Sequence, residues 1–207
     1  MKHFFVTGTD THVGKTITSA VLTLALNGCY WKPVQSGIAN NLSEQEKVQQ
    51  LTGLKQEYIF ASTYSFQASL SLDQAAAREN NLIEIEKIQL PPTTRTLIVE
   101  GAGGVFSPLN KTDCMLDLMK KFNFPVIIVS RGGLGTINHT LLTIEALRQR
   151  NLTIAGVIFS GELNPDNQIA IEQRGNVNTL LHLPFFEKFN LTKWVADNRQ
   201  IILEKLA

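Results

Sequence analysis

Gly8-Thr9-Asp10-Thr11-His12-Val13-Gly14-Lys15-Thr16, directly after the apolar run His3-Phe4-Phe5-Val6, reads as strand, phosphate loop and helix. Glycine-rich backbone at a strand end can turn its N–H groups toward an anion, and a helix beginning near Gly14 adds its positive dipole end. In that setting Lys15 reaches β- and γ-phosphates, and Thr16 supplies the hydroxyl that a phosphate-loop Ser or Thr gives to Mg²⁺. The common spacing is G-x-x-x-x-G-K-[ST]. Here Thr9 stands at the first glycine position, with Gly8 one residue early. The competing reading is a glycine-containing turn with a chance surface lysine, but the flanking strand and helix supply the context that the motif requires.

Outward from this loop, apolar runs of strand length recur at Phe4 to Val6, Tyr30 to Val34, Leu97 to Val99, Val126 to Ser130, Ile154 to Phe159 and Thr179 to Leu183. They suit strands buried on both faces of a parallel sheet. Helical periodicity fills the intervals at Thr16 to Leu26, Ser43 to Leu51, Ser71 to Asn80, Thr112 to Phe122, Asn138 to Gln149 and Pro165 to Arg174, with a last amphipathic stretch from Thr192 to Leu206. The alternation predicts an α/β fold, a doubly wound and mainly parallel sheet flanked by helices, of P-loop NTPase type. Ligands gather at the carboxyl ends of such strands. Residues 38–67 are the least regular; Tyr58 to Phe66 reads as an extended connection or a short strand, and Ile83 to Ile88 as a strand or a short helix.

The chain has 207 residues, enough for one sizeable core, so a single domain over residues 1–207 is expected. A hydrophobic content of 43% and a charged content of 18% are globular values. A formal net charge of +1 predicts neither a nucleic-acid footprint nor a polybasic membrane surface, which directs attention to small-molecule partners. Cys29 and Cys114 lack metal or redox spacing and read as reduced thiols. With Met1-Lys2 leading straight into a core strand and no bilayer-length apolar run, a cytoplasmic protein is expected.

Three further segments carry chemistry. Lys32-Pro33-Val34-Gln35-Ser36-Gly37 follows the second strand run, where Lys32 can add a cation near a γ-phosphate and Ser36 a hydroxyl. Alone, Lys32 reads as a solvated strand-end residue. Leu97-Ile98-Val99-Glu100-Gly101-Ala102-Gly103-Gly104 ends an apolar strand in an acid that can hold Mg²⁺, followed by glycines that let backbone approach a transferring phosphate. Val129 to Thr140 joins a strand to a helix through Gly132, Gly133 and Gly135. Its early N–H groups and Asn138 suit a carboxylate, although Asn138 also fits a plain helix N-cap. His139 has no second ligand at metal spacing and reads as structural.

Together the blocks GTDTHVGKT, KPVQSG, VEGAGG and GLGTINHTLLT resemble the dethiobiotin synthetase family, in family order, from Phe4 to about Pro184. The resemblance implies an ATP-dependent cyclo-ligase of biotin biosynthesis acting on 7,8-diaminononanoate, CO₂ and MgATP. One amine captures CO₂ as a carbamate, a carbamate oxygen attacks the γ-phosphate, and the second amine closes the ring with loss of phosphate. It implies Lys15, Lys32, Thr11 and Ser36 as the catalytic set, and Thr16, Glu100 and Glu44 as metal contacts. Nucleotide contacts carried over by similarity are Thr11, His12, Val13, Gly14, Lys15, Thr16, Ile17, Glu100, Gly101, Gly103, Ser160 and Pro184. Substrate contacts are Thr11, Lys32, Ser36 and Gly103, together with Leu134, Gly135 and Asn138 of a partner subunit in a homodimer.

The chain departs from the family pattern at three positions. Glu44 stands where members carry Asp, with Glu46 as a second carboxylate within reach. Ser160 stands where many carry an adenine-reading Asn, and one hydroxyl cannot make a two-pronged amide contact. Weaker discrimination between ATP and other nucleoside triphosphates is therefore expected, with the Leu183-Pro184-Phe185 turn walling the base pocket. His12 occupies a variable loop position. Other readings are a nucleotide-switched partition or division-site ATPase, which would carry a second Lys where this loop has Thr9-Asp10-Thr11, a cobyrinate-type amidating synthetase, which needs a glutaminase domain, and a catalytically silent nucleotide binder.

Overall fold

The computed structural model describes residues 2–39, 42–185 and 190–207. In chain order the elements are β1 (Phe4–Gly8), α1 (Lys15–Ala25), β2 (Cys29–Trp31), β3 (Val34–Gln35), α2 (Glu44–Thr52), β4 (Ile59–Phe60), β5 (Tyr64–Ser65), α3 (Leu72–Arg78), β6 (Leu97–Glu100), α4 (Met115–Phe122), β7 (Val126–Arg131), α5 (Thr136–Gln149), β8 (Ile154–Ser160), α6 (Pro165–Gly175), β9 (Thr179–Leu183) and α7 (Leu191–Leu206). Seven strands pair in parallel in the order β4-β2-β6-β1-β7-β8-β9. The doubly wound sheet is as expected. β1 lies between β6 and β7, so the carboxyl ends of β1, β2, β6 and β7 form one rim around the phosphate loop.

Alternation along the strands divides the interior into two cores, as the two-residue side-chain period requires. Phe4, Val6, Tyr30, Ile98, Ile127 and Ile158 face α1, α2 and α7, whose Val21, Leu22, Val48, Val195 and Ile202 cover them. Phe5, Trp31, Val99, Ile128, Val157 and Phe159 face the opposite layer, closed by residues such as Leu116, Met119, Ile144, Leu147 and Ile171. Fully burying one such aliphatic or aromatic side chain contributes about 1.5–3 kcal/mol.

The run from Tyr30 to Val34 does not form one strand. It breaks at Lys32-Pro33, and β3 leaves the main sheet to pair with β5. Pro33 has no N–H for the ladder, while its carbonyl accepts from Thr63 and Tyr64 instead. Within the irregular segment, Tyr58 to Phe66 resolves into the two-residue strands β4 and β5 after α2 and a 3₁₀ turn at Gln56–Tyr58, residues 40–41 lying outside the described part, and Ile85–Lys87 is one 3₁₀ turn. The helix expected from Thr112 begins at Met115, because Asn110 accepts from the N–H groups of Thr112 and Asp113 and holds a turn there. No helix among the described residues is long and apolar enough to cross a membrane.

Candidate active site

The phosphate loop is built around close approaches that only glycine permits. A Cβ on Gly8 would lie 2.9 Å from Lys15 Nζ, so Gly8 makes room for the lysine to lie across the loop. The glycine one residue early is thus the position whose missing Cβ clears the path of Lys15. Gly14 has φ 99°, and a Cβ there would collide with Ser160 Oγ. No side chain caps α1 at Gly14. Its leading N–H groups and dipole are thus presented to the hollow of the loop, the arrangement that binds anions. His12 takes the left-handed conformation, φ 55°, and Thr9 N–H ties the loop to β7 through Val129 O at 3.0 Å. Thr11 is exposed, its N–H donating to Asp10 Oδ1 at 2.7 Å.

Lys15 curls back to donate to Asp10 O at 2.7 Å. Burial, followed by the nearby ammonium of Lys32, lowers its pKa to about 8, against the opposing pull of Glu100, Asp10 and Glu44. Lys32 is also buried and pairs with Glu100 Oε1 at 2.9 Å. Thr16 Oγ1 lies 3.1 Å from the same Glu100 oxygen and 2.5 Å from Glu44 Oε2. Three strand or helix ends, from β6, α1 and α2, thus bring two carboxylates onto one hydroxyl. Hard oxygen donors of this kind suit Mg²⁺.

Glu44 arrives there through its helix start. Ser43 and Glu46 form a reciprocal capping box, Ser43 Oγ accepting from Glu46 N–H at 3.2 Å and Glu46 Oε2 accepting from Ser43 N–H at 2.7 Å. Glu46 is therefore held away as a cap, and Glu44 is the carboxylate at Thr16. Burial pushes the Glu44 carboxyl up, but Lys32, the Thr16 hydroxyl and Lys47 together outweigh it and hold it below its ordinary range. Gln35 of β3 accepts from Glu44 N–H at 3.2 Å and donates to Gln45 Oε1 at 2.8 Å, fastening α2 to the small sheet. Ser36 donates to Leu70 O at 2.8 Å, which leaves its oxygen lone pairs to accept from an amine.

The glycine loop after β6 packs on the phosphate loop. A Cβ on Gly104 would lie 3.5 Å from Gly8 O, while Gly101 N–H continues the sheet to Val6 O at 2.9 Å. Gly104 N–H is bonded to Ser107 Oγ at 2.9 Å, so that amide serves the loop itself, and Gly103 turns the chain with φ 64°. Beside these loops an open groove of about 370 Å³ is lined by Thr9, Asp10, Gly104, Phe106, Ser107, His139, Leu142 and Thr143. Phe106 and His139 are brought to one groove from the β6 loop and α5, segments more than thirty residues apart in sequence, so no local pattern points to their meeting.

Helix α5 begins at Thr136 with Gly135 as its N-cap, so Asn138 is not a capping residue but lies in the first turn, exposed. Ser130 Oγ bonds the hydroxyls of Thr136 at 2.6 Å and Thr140 at 2.8 Å, pinning this turn to β7. Leu134 is 99% exposed, and neither it nor Asn138 joins the Lys15 and Lys32 cluster of its own chain. On the other side of the loop, Ser160 lies over Gly14, and Phe185 lies against Gly161, whose lack of a Cβ gives the ring its place beside Pro184.

The family described as an AAA domain matches residues 2–191. The ATP-dependent dethiobiotin synthetase BioD of Paramagnetospirillum magneticum is 43% identical over 183 residues, 88% of this chain and 88% of that protein. That of Christiangramia forsetii is 37% identical over 206 residues, 98% and 99% of the two chains. The biotin biosynthesis bifunctional protein BioCD of Bordetella avium is 46% identical over 180 residues, and this chain spans only 39% of its length. Among solved structures, a ParA family ATPase from Chlorobium tepidum superposes with a TM-score of 0.61 at 11% identity, covering 96% of this chain and 98% of that one. The cell division ATPase MinD of Pyrococcus furiosus gives 0.60 at 17%, covering both chains fully. The last two likenesses establish the P-loop fold, and with identities of 37% and 43% over most of both chains the protein belongs to the ATP-dependent dethiobiotin synthetase family.

Proposed function

We propose that the chain closes the ureido ring of dethiobiotin from 7,8-diaminononanoate, CO₂ and ATP, releasing ADP and phosphate. The observation that carries this reading is the convergence of Lys32, Glu100, Glu44 and Thr16 beside an anion-ready loop. The reaction asks little of a general acid or base. One amine adds to CO₂ and loses a proton, giving a carbamate. A carbamate oxygen attacks the γ-phosphorus as ADP leaves. The second amine then attacks the carbonyl carbon, and the C–O bond to phosphate breaks. Such chemistry depends on alignment and charge neutralisation.

In this reading Lys15 and the first-turn amides of α1 hold the phosphates, with Thr11, His12, Val13 and Ile17 alongside. Lys32 steadies the carbamate and the transferring phosphoryl group. Thr16, Glu44 and Glu100 would hold Mg²⁺, which neutralises charge on the β- and γ-phosphates when bound. Ser36 and Thr11 border the diamine. The substrate carboxylate is assigned to Leu134, Gly135 and Asn138 of a second copy, a role supported by the exposure of Leu134 and Asn138 in the single chain.

The test is mass-spectrometric detection of the ureido product from purified protein with all components, omitting each in turn. Product that requires every component is expected; a folded, nucleotide-binding protein that yields none would overturn the proposal. Ser160 and Pro184 border the base, and Ser160 lacks the forked donor and acceptor of an amide. ATP is accordingly expected to outcompete CTP or GTP by less than about fivefold, below the about 1–3 kcal/mol by which a well-placed amide contact to a base discriminates. A direct competition assay giving a much larger ATP preference would remove Ser160 from base selection.

A further inference from the structure

Tyr30 sits on the middle of β2 with none of its surface exposed, packed in the core between the sheet and α1. A phenylalanine would fill nearly the same volume. The added hydroxyl is costly to bury unless it is bonded. It donates to Glu100 Oε2 at 2.9 Å. Glu100 is itself fully buried, and its other oxygen receives Lys32 Nζ at 2.9 Å and lies 3.1 Å from Thr16 Oγ1.

The sheet register explains the meeting. Tyr30 pairs with Ile98 across β2 and β6, so Lys32 and Glu100, each two residues further on, continue on the same face toward the rim. The phenol thus anchors one carboxylate oxygen to the sheet. The remaining oxygen is left to serve the ammonium and the hydroxyl. Without that anchor, Glu100 could turn both oxygens to Lys32, drawing the ammonium into a two-pronged pair and away from the phosphate loop.

Resting on the assignment of Glu100 as a metal contact above, we propose that Tyr30 is a positioning residue that divides the two oxygens of Glu100 between the sheet and the metal site. It touches no reacting atom and acts through the carboxylate. Outer hydrogen-bond partners of metal ligands commonly cost about 10–100-fold in metal affinity or activity when removed.

The experiment compares wild type, Tyr30→Phe, Glu100→Gln and the double variant. Mn²⁺ binding in the presence of ADP is followed by electron paramagnetic resonance, alongside metal-free ADP affinity and the Mg²⁺ concentration giving half-maximal turnover. Tyr30→Phe is expected to weaken Mn²⁺ binding about tenfold. Metal-free ADP affinity and the diamine KM should stay within about twofold, which a general loosening of the core would not allow. In the Glu100→Gln background the same change should add less than about a twofold loss, because the group through which it acts is gone.

Weakened Mn²⁺ binding in Glu100→Gln with unchanged binding in Tyr30→Phe would overturn the role of Tyr30 alone. Unchanged binding in Glu100→Gln would overturn the metal assignment and the Tyr30 proposal with it. If Tyr30→Phe is too unstable at the assay temperature, its Mn²⁺ binding is measured at about 10 °C on the folded fraction, where unchanged binding would likewise overturn the proposal. A large extra loss in the double variant would refute the proposal.

Discussion

Lys15 is buried among groups that disagree about its charge. Desolvation comes first in lowering its pKa to about 8, and Lys32 adds to it, while Glu100, Asp10 and Glu44 only partly compensate. Between about pH 8 and the ordinary lysine value near 10.5, the folded unliganded protein binds fewer protons than the unfolded chain. Its stability therefore gains from this group as pH rises through that window, and the gain is lost as pH falls through about 8. A bound triphosphate restores the charge. ATP binding at about pH 8.5 should then take up a proton, and calorimetry should read a less exothermic binding in Tris than in a buffer of smaller ionisation enthalpy; identical enthalpies would contradict the shift. Lys32→Gln removes a charge that stands next to Glu100 and opposite the loop. Loss of about 10²–10³ in turnover is expected, with ATP affinity changed by no more than about threefold, because comparable charge-stabilising donors have that value in transition states. Steady-state rates and equilibrium nucleotide binding on the same preparation test it, and undiminished turnover would exclude Lys32 from the chemistry.

At the scale of elements, α2 shows how a helix start delivers a single side chain. The capping box of Ser43 and Glu46 sets the first turn, and only Glu44, between them, points to Thr16. Ser43→Ala should cost about 1 kcal/mol and lower Tm by about 2–4 °C. Ser71, the N-cap of α3, makes no side-chain cap bond, so Ser71→Ala should shift Tm by less than about 1 °C. Equal shifts by calorimetry would refute the contrast. The sequence patterns of α1, α6, β8 and β9 predict their bounds to within a residue or two, because caps, glycines and strand-length apolar runs are local signals. The break at Pro33 was equally local, yet its consequence was not: the partner of β3 is β5, some thirty residues on, and nothing short-range names it.

For the whole molecule, the proposed substrate site divides between two copies, since Leu134 and Asn138 stand apart from the lysine cluster of their own chain. Asn138→Ala and Lys15→Ala chains, each nearly inactive, should regain about a quarter of wild-type activity when mixed equally, as half the dimers would then hold one intact site. No recovery after verified subunit exchange would mean self-contained sites. By itself the sequence determined the doubly wound parallel fold and singled out Lys15, Thr16, Lys32 and Glu100 as candidates, because each lies in a contiguous block at a strand end whose residue types suit phosphate or metal contact. Only the tertiary structure decided between Glu44 and Glu46, placed Ser160 over Gly14, and joined Tyr30 to Glu100. Those contacts depend on strand order and on the face each side chain takes. Residues thirty to a hundred and fifty positions apart become neighbours only after the sheet has chosen its register, and no local pattern encodes that choice.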